Sequence, residues 1–577
     1  MNETFVIEFG IILIIASALG VLAKIFRQPL ILAYLIAGIL IGPFAFGILK
    51  NPQIIETFAT IGIIFLLFLI GLELNPRKLL EVGSSAVIIG LGQIALSGII
   101  YWMVSTAFGF TGTGAIYLSL GFAFCSTAII ITLLSNKREL DTLHGKIIVG
   151  ILLVQDFAAI IALTLIPSAK IDAGQISTIF IIGKILVKAI MLFSFAGLAS
   201  KYVLPPIFSK IAKSHELLFI SSLAWCFILV IVASSLDLSP EIGAFLAGIT
   251  IAPLPYAIHI GAKTSPLRDF FLMIFFIYLG TNLVFENISK MILPAIVFSV
   301  LILIINPLIV MLIMGSLGYR KRTSFLTGIS LAQISEFTFI ILAMGVKIKI
   351  LSAESITLAS MVAIITIFCS TYFISKSRDI FNILKNYLNF LESNKKRKTL
   401  SNITGELKNH VVLIGCNRVG SGILETLKEN KLPTVVVDFD PKRIQKMIDK
   451  GDNCIYGDAT DQDIVKDLNI EKAQLVISTL ENIEESRLVL SIYKKINKKI
   501  KIILIAADDD ESIELYGLGA DLIIVPTTIS SDFISYALER IVIKGVEIDE
   551  FKQKSIRSIE KHKAISLEQK FVKSISS

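Results

Sequence analysis

The first 374 residues alternate between long apolar runs and short polar breaks, whereas the residues after them mix charged and apolar positions. Thirteen of the runs approach the roughly 20 residues that a helix needs to cross a bilayer. They lie at approximately 5–24, 29–47, 54–73, 85–107, 112–135, 147–167, 177–200, 216–235, 240–258, 267–285, 291–317, 323–346 and 352–374. This pattern predicts an α-helical polytopic membrane domain.

The charges between the runs indicate the orientation. An odd number of spans places the two termini on opposite sides of the membrane, and Lys and Arg favour cytoplasmic loops. With the C-terminus inside, the inner loops hold fifteen basic residues, among them Lys137 and Lys146, and the outer loops hold five. We therefore expect a multi-pass protein of the cell inner (plasma) membrane, with its N-terminus outside and its C-terminal domain in the cytoplasm.

One acid stands near the middle of the sixth run. Asp156 follows Gln155 in GILLVQDFAAIIALTLI (150–166), and no base lies within a helical turn. A carboxylate at that depth costs about 2.5–3.5 kcal/mol, so it is tolerated where it faces a cavity, pairs, or binds an ion. One interpretation is a buried acid hydrogen-bonded to a neighbouring helix. The other, which we adopt as a hypothesis, is a carboxylate that alternately binds a proton and a cation.

Polar residues interrupt two other spans at mid-membrane. The fifth run contains Ser126 and Thr127, and the twelfth contains Gln333, Ser335 and Glu336. Such clusters are typical of broken helices whose half-helix ends face an ion site at the midplane. The alternative is that the hydroxyls bond back to the carbonyls of their own helix. Since the two runs are seven apart, they suit corresponding members of two inverted repeats.

Strands and helices alternate in the C-terminal part. Short apolar strands such as HVVLI, TVVVD and QLVIS are separated by helical patterns, which predicts a Rossmann-like α/β doubly wound parallel sheet. We place the membrane domain at 1–375, a basic cytoplasmic linker in contact with the lipid bilayer at 376–408, and the sheet domain at 409–530. A helical, charged tail at 531–577 completes the chain.

A glycine turn follows the first strand of this domain. The sequence GCNRVG is a GxGxxG in which the middle glycine is replaced, and Asp438 lies 23 residues past its first glycine. In such a turn the acid can hold the ribose hydroxyls while the helix N-terminus holds phosphate. The pattern predicts a regulatory adenine nucleotide (NAD(H), AMP or ATP); an empty Rossmann sheet is the alternative. The turn residues expected at the site are Gly415, Asn417, Arg418, Val419 and Gly420.

Long ordered motifs carry a family resemblance. They are RQPLILAYLIAGILIGP (27–43), LLFLIGLEL (66–74), CSTAIIITLL (125–134), LSPEIGAFLAG (238–248) and LAQISEFTFII (331–341). The chain resembles monovalent cation/proton antiporter family 2, and its Kef-type potassium/proton antiporters most closely. The resemblance implies a homodimer in which Asp156 is the ion-binding acid. It also implies that Gln155 stands beside that acid, with Ser126, Thr127 and Glu336 nearby on the crossing helices.

The C-terminal part resembles the TrkA-N, RCK-like regulatory domain of potassium transport proteins. Its GDAT motif occupies 457–460. The resemblance implies that Asp458 contacts the base, with Ala459 and Thr460 beside it. Kef-type members bind glutathione through a basic residue after the fifth strand, but the corresponding AADDDESIEL is acidic, so we do not expect glutathione to act here.

Two departures from the family pattern concern the transported charge. Electrogenic relatives carry two adjacent acids where this chain has Gln155 and Asp156, and many carry a lysine in the eleventh span, where Asn306 stands. One acid without a partnering lysine favours one cation per proton.

Several function classes lack their sequence requirements. The net charge of +8 is explained by loops and linker, so no nucleic acid partner is expected, and the five cysteines show no metal-ligand spacing. No catalytic residue set or P-loop is present, so neither an enzyme nor a cofactor-dependent transport step is expected. The preferred function is K+/H+ antiport, and Na+/H+ antiport is the alternative. A nucleotide-gated potassium channel is a weaker one, because no TVGYG-like filter is present.

Overall fold

The protein divides into two compact units, Met1–Ser393 and Asn394–Ser577, and each is described by itself. The computed structural model describes residues 2–543 apart from short segments, of which the longest are 74–82, 166–176, 284–287, 389–400 and 404–406. A few residues between 548 and 556 are also described. Most of the predicted charged tail therefore lies outside the described residues.

The first unit is a bundle of helices with an extensive apolar core. Its helices are α1 (Asn2–Ile25), α2 (Leu30–Ile41), α3 (Pro52–Glu73), α4 (Gly83–Ala107), α5 (Gly112–Ala123), α6 (Thr127–Asn136), α7 (Leu143–Leu165), α8 (Ser177–Leu198), α9 (Leu204–Ile211), α10 (His215–Ser235), α11 (Pro240–Ile251), α12 (Ala257–Thr281), α13 (Ile288–Ser316), α14 (Lys321–Ser330), α15 (Glu336–Lys347), α16 (Glu354–Ser375) and α17 (Ser377–Leu384). A π-helical turn at Ala199–Val203 joins α8 to α9.

The predicted polytopic helical class is confirmed. Nine segments of the described residues are long and apolar enough to cross a membrane. The other predicted spans coincide with the shorter helices α2 and α11, with α12, and with the pair α14 and α15. Breaks occur in both of the spans where polar clusters predicted them, between α5 and α6 and between α14 and α15.

Glycines permit close contact between helices in this unit. A Cβ at Gly38 of α2 would overlap the backbone of Ile277 in α12, and one at Gly280 would overlap the backbone of Leu35. Small residues at such crossings let two backbones approach and gain packing contacts that a bilayer does not otherwise supply. The two glycines therefore let α2 and α12 cross in direct backbone contact.

The second unit is a seven-stranded sheet with helices between its strands. The strands are β1 (Ser401–Asn402), β2 (His410–Ile414), β3 (Thr434–Asp438), β4 (Cys454–Tyr456), β5 (Ala473–Ser478), β6 (Lys501–Ile505) and β7 (Leu522–Ile524). The helices are α18 (Arg418–Glu429), α19 (Pro441–Asp449), α20 (Gln462–Asp467), α21 (Ile483–Ile496), α22 (Asp509–Gly517) and α23 (Pro526–Leu538), with a 3-10 turn at Ile470–Lys472.

The strand order defines where a ligand can bind. The order is β1-β4-β3-β2-β5-β6-β7, and every pairing is parallel except that of the edge strand β1 with β4. Successive strands are added on one side of β2 as far as β4 and on its other side from β5 onward, so the order of strands switches between β2 and β5. In open α/β sheets, ligands bind at the carboxyl ends of the strands beside such a switch point. The predicted doubly wound sheet is therefore confirmed, and its glycine turn lies at that position.

Candidate functional site

The two broken helices of the membrane unit contact each other at their unwound segments. Gln333 Nε2 donates to the carbonyl oxygen of Ser126 at 3.5 Å, and the Cys125 thiol donates to that of Leu331 at 3.1 Å. Thr338 Oγ1 donates to the carbonyl oxygen of Gly121 at 2.7 Å. The half-helix ends, which carry partial charges of both signs, therefore meet inside the bundle.

Asp156 lies on α7 beside the start of one half-helix. Its side chain is buried, with 6% of its surface exposed. Thr127, the first residue of α6, donates a hydrogen bond from Oγ1 to Asp156 Oδ1 at 2.9 Å. The adjacent Ser126 caps α6, because its hydroxyl accepts from Ile129 N at 3.4 Å. A carboxylate, a hydroxyl and a helix N-terminus thus converge at one point of the bundle.

Gln155 belongs to a buried network of uncharged groups. Its Oε1 accepts from Cys125 N at 3.2 Å, and its Nε2 donates to Gln93 Oε1 at 2.5 Å. Gln93 Nε2 in turn donates to Asn306 Oδ1, which also accepts from Tyr101. Both polar atoms of Gln155 are therefore engaged by groups other than the Asp156 carboxylate. Sequence reasoning missed Gln93, although a lone amide in the apolar run of α4 was a signal.

Glu336 begins the second half-helix of the twelfth span. It is buried, and its Oε2 accepts from Ser335 Oγ at 3.4 Å, while Ser335 Oγ also accepts from Phe337 N. Gln333, the third residue after the end of α14, accepts from Ser370 Oγ at 2.6 Å. The acid of this half-helix stands in its first turn, where the helix dipole favours a negative charge.

We expect Thr127→Val to weaken cation binding at the site. The substitution keeps the shape of the side chain but removes the hydroxyl that donates to Asp156. Hydrogen bonds to charged groups contribute about 1.5–3 kcal/mol, so the apparent KM for the cation should rise about tenfold or more. This KM is measured by recording proton release from vesicles at increasing cation concentrations. Thr132→Val is the matched control, since that exposed hydroxyl of α6 bonds only to Ala128 O in its own helix; an equal rise there would contradict the assignment.

The glycine turn of the second unit has the geometry of a nucleotide-binding loop. Gly415 has φ +81°, and a Cβ on it would lie 2.5 Å from Thr479 Oγ1. A Cβ on Gly420 would overlap the carbonyl oxygen of Gly415. Both glycines are required, the first by the turn and the second by the close approach of α18 to β2. Thr479, which follows β5, was missed in the sequence.

Asn417 and Asp438 satisfy the backbone of this turn. Asn417 has an ordinary φ of −71°, and its Oδ1 accepts from Val419 N and Gly420 N at 3.1 Å each. Asp438, at the end of β3, accepts from Cys416 N at 2.7 Å and from Arg443 Nη1 at 3.2 Å, and also from the Asp440 amide. Burial and the neighbouring Asp438 charge raise the pKa of the Cys416 thiol to about 12, so it stays protonated.

The GDAT segment forms a tight turn after β4. Asp458 Oδ1 accepts from both Thr460 N and Thr460 Oγ1, at 2.8 and 2.7 Å. The buried Tyr493 of α21 donates to the carbonyl oxygen of Ala459 at 2.9 Å. Gly457 N also donates to the carbonyl oxygen of Asp438 at 3.0 Å, so the turn is held beside the end of β3. The side chain of Arg418 lies outside the described residues.

Comparison with known families covers both units. The family described as sodium/hydrogen exchanger, transmembrane, matches residues 10–375, and the TrkA-N domain matches residues 411–526. The chain belongs to the sodium/hydrogen exchanger family of membrane proteins and carries a C-terminal TrkA-N domain. The predicted likeness to cation/proton antiporters with a TrkA-N regulatory domain is thereby confirmed.

Three relatives illustrate the likeness. The cation/proton antiporter YbaL of Escherichia coli is 28% identical over 530 residues, which span 89% of this chain and 93% of that protein. The K(+) efflux antiporter KefB of Alkalimonas amylolytica is 26% identical, over 87% and 76% of the two chains. K(+) efflux antiporter 6 of Arabidopsis thaliana is 30% identical, over 60% and 59%.

Proposed function

We propose that this protein is a secondary antiporter that exchanges K+ for H+ and is regulated by an adenine nucleotide bound to its soluble unit. The hydrogen bond from Thr127 to the buried Asp156 supports the first part most directly. Relatives named as K(+) efflux antiporters favour K+ over Na+. We further propose a homodimer in the inner membrane, with the N-terminus outside and the soluble unit in the cytoplasm.

One ionisable carboxylate suffices for exchange. When Asp156 is ionised, its charge and the Thr127 oxygen can bind a dehydrated cation between the half-helix ends; when it is protonated, that charge is lost and the cation leaves. The groups around Gln155, namely Gln93, Asn306 and Tyr101, are uncharged. With Asp156 as the one acid that both binds the cation and carries the proton, we expect one cation per proton, so exchange moves no net charge.

Everted vesicles carrying a fluorescent pH dye test the transport. After the interior is acidified, K+ added outside should drive protons out and restore fluorescence, with a lower half-maximal concentration than Na+. A preference for Na+ would overturn the K+ proposal in favour of Na+/H+ exchange. A potential-sensitive dye separates the mechanisms, because K+ entry through a channel would charge the vesicle interior whereas electroneutral exchange would not.

The nucleotide part of the proposal rests on the switch-point loop. Gly415 and Gly420 bring α18 against β2, and Asp438 stands at the end of β3, where we place the ribose. The Asp458 turn follows the neighbouring strand β4, and we place the base there. The purified full chain should melt at a higher temperature with NAD(H), AMP or ATP, because a ligand that binds only the folded state stabilises it. No shift with any of them at millimolar concentration would leave an empty Rossmann sheet.

Asn417→Gly should tighten nucleotide binding. The Asn417 side chain occupies the two amide groups at the start of α18 that a phosphate would use. Replacing an N-cap Asn by Gly costs only a few tenths of a kcal/mol, so the fold should survive while both donors become available. We expect the Kd, measured by calorimetry on the full chain, to fall about tenfold. Asn482→Gly removes an equivalent cap from α21 and should leave the Kd unchanged.

A further inference from the structure

A buried acid lies in the turn between α6 and α7, outside the ion site. Glu139 is 2% exposed, and its Oε1 accepts from Arg378 Nη2 at 2.7 Å. Lys137 Nζ lies 3.3 Å from the same oxygen, and His144 Nε2 lies 3.3 Å from Oε2. The acid and its partner Arg378 are separated by 239 residues, so sequence spacing gave no indication of the pair.

The bases around Glu139 come from three different elements. Lys137 caps the end of α6, His144 stands in the first turn of α7, and Arg378 stands in the first turn of α17. Lys137 Nζ also donates to the carbonyl oxygen of Ile374 at 2.9 Å and lies 3.3 Å from Ser377 Oγ. The turn that precedes the Asp156 helix is therefore bound to the junction of α16 and α17, the last helices of the first unit among the described residues.

The negative charge of Glu139 is permanent at physiological pH. Burial alone would raise the pKa of Glu139, but the hydrogen bond and charge of His144, together with the charges of Lys137 and Arg378, lower it to about 2. The carboxylate stays ionised at every pH that a cell reaches, so the pair is not a proton switch. A buried ion pair instead fixes one arrangement of its elements, because breaking it leaves an uncompensated charge.

We propose that the Glu139–Arg378 pair is the joint through which the soluble unit acts on the ion-binding helix. The proposal rests on the proposed function and names the route of its regulation. Arg378 stands on the segment that continues into the linker, and Glu139 stands four residues before α7 begins. A displacement of α17 that follows nucleotide binding is transmitted through the pair to the turn, and from the turn to Asp156. A ligand can shift that arrangement only by its differential affinity for the two states.

Arg378→Gln in the full-length protein tests the joint. In everted vesicles with and without AMP, ATP or NADH, we expect the variant to exchange cations at a rate within about twofold of wild type and with an unchanged apparent KM. In the wild type, nucleotide should change the rate about five- to 150-fold, the range that coupling energies of 1–3 kcal/mol correspond to. In Arg378→Gln the ratio of the rates with and without nucleotide should fall to about one, because the coupling is lost. Arg378→Lys, which keeps the charge, should retain a nucleotide response.

Lys376→Gln is the matched control. It removes a base two residues away whose ion pair with Asp379 is exposed on both sides, and it should respond to nucleotide as wild type does. If Arg378→Gln does not accumulate in the membrane, the double variant Glu139→Gln/Arg378→Gln gives the same test, because it removes both charges of the pair. A full nucleotide response in Arg378→Gln, or in the double variant, overturns the proposed role of the pair. A wild-type protein that exchanges cations without any nucleotide response overturns the proposed regulation itself, and is recognised before any variant is made.

Discussion

Asp156→Asn is expected to abolish cation/proton exchange while the protein still inserts in the membrane. Asparagine keeps the size of the side chain, and its oxygen can still accept the hydrogen bond from Thr127. It cannot ionise, so the site can neither release a proton nor neutralise a bound cation. The rate of dye dequenching after a cation pulse should fall below about a tenth of wild type, which corresponds to a barrier increase of about 1.4 kcal/mol.

The control for this loss is an acid of the same unit outside the site. Asp269 of α12 pairs with the neighbouring Arg268, and its side chain is 64% exposed. Asp269→Asn should therefore transport at the wild-type rate. If Asp156→Asn retained more than about a tenth of wild-type exchange at equal membrane abundance, Asp156 would be a structural acid, and the transported proton would need another carrier.

The spans could be predicted because they follow from local sequence. An apolar run of bilayer length has one low-energy arrangement, a helix with all its backbone groups bonded internally. The breaks were predictable for a related reason: Ser126 and Ser335, which cap the second half-helices, stand in the polar clusters that marked the breaks. The glycine turn was equally local, since Gly415 and Gly420 are required by their own backbone.

The orientation of Gln155 could not be predicted, because its partners come from distant parts of the chain. The Gln93 and Cys125 groups that engage its amide are 62 and 30 residues away. The same applies to Glu139, whose acidic side chain in a loop gave no sign that it would be buried against Arg378. Hydrogen bonds between helices depend on their packing, which a pattern of apolar runs leaves open.

Asn417 stands where the glycine motif has its middle glycine. The sequence marks this departure but does not say which atoms the side chain contacts. The backbone at Asn417 has no need of glycine, since its φ is −71°. What the side chain changes is the start of α18, whose amides it already caps.

Asp438→Ala should remove the response of transport to nucleotide and leave transport itself intact. The Asp438 carboxylate lies at the carboxyl end of β3, beside the glycine turn, where it accepts from Cys416 N. Its loss removes the proposed ribose acceptor and one of the two acids that pair with Arg443, so nucleotide should bind at least about tenfold more weakly. Exchange should continue at the rate of nucleotide-free wild type, because Asp156 is unchanged. Vesicle exchange rates measured across a nucleotide titration test both parts.

Asp521→Ala is the control that distinguishes a loss of sheet stability from a loss of nucleotide binding. Asp521 also accepts a backbone hydrogen bond, from Ile502 N at 2.8 Å, and pairs with a base, Lys494, at 2.7 Å. Asp521 precedes β7, however, and so lies at the amino end of its strand, whereas Asp438 lies at the carboxyl end of β3. This variant should lose a similar amount of stability and keep its nucleotide response. If Asp438→Ala, at the same melting temperature as Asp521→Ala, lost all cation exchange under every condition, the division of the chain into an ion-moving unit and a sensing unit would be wrong.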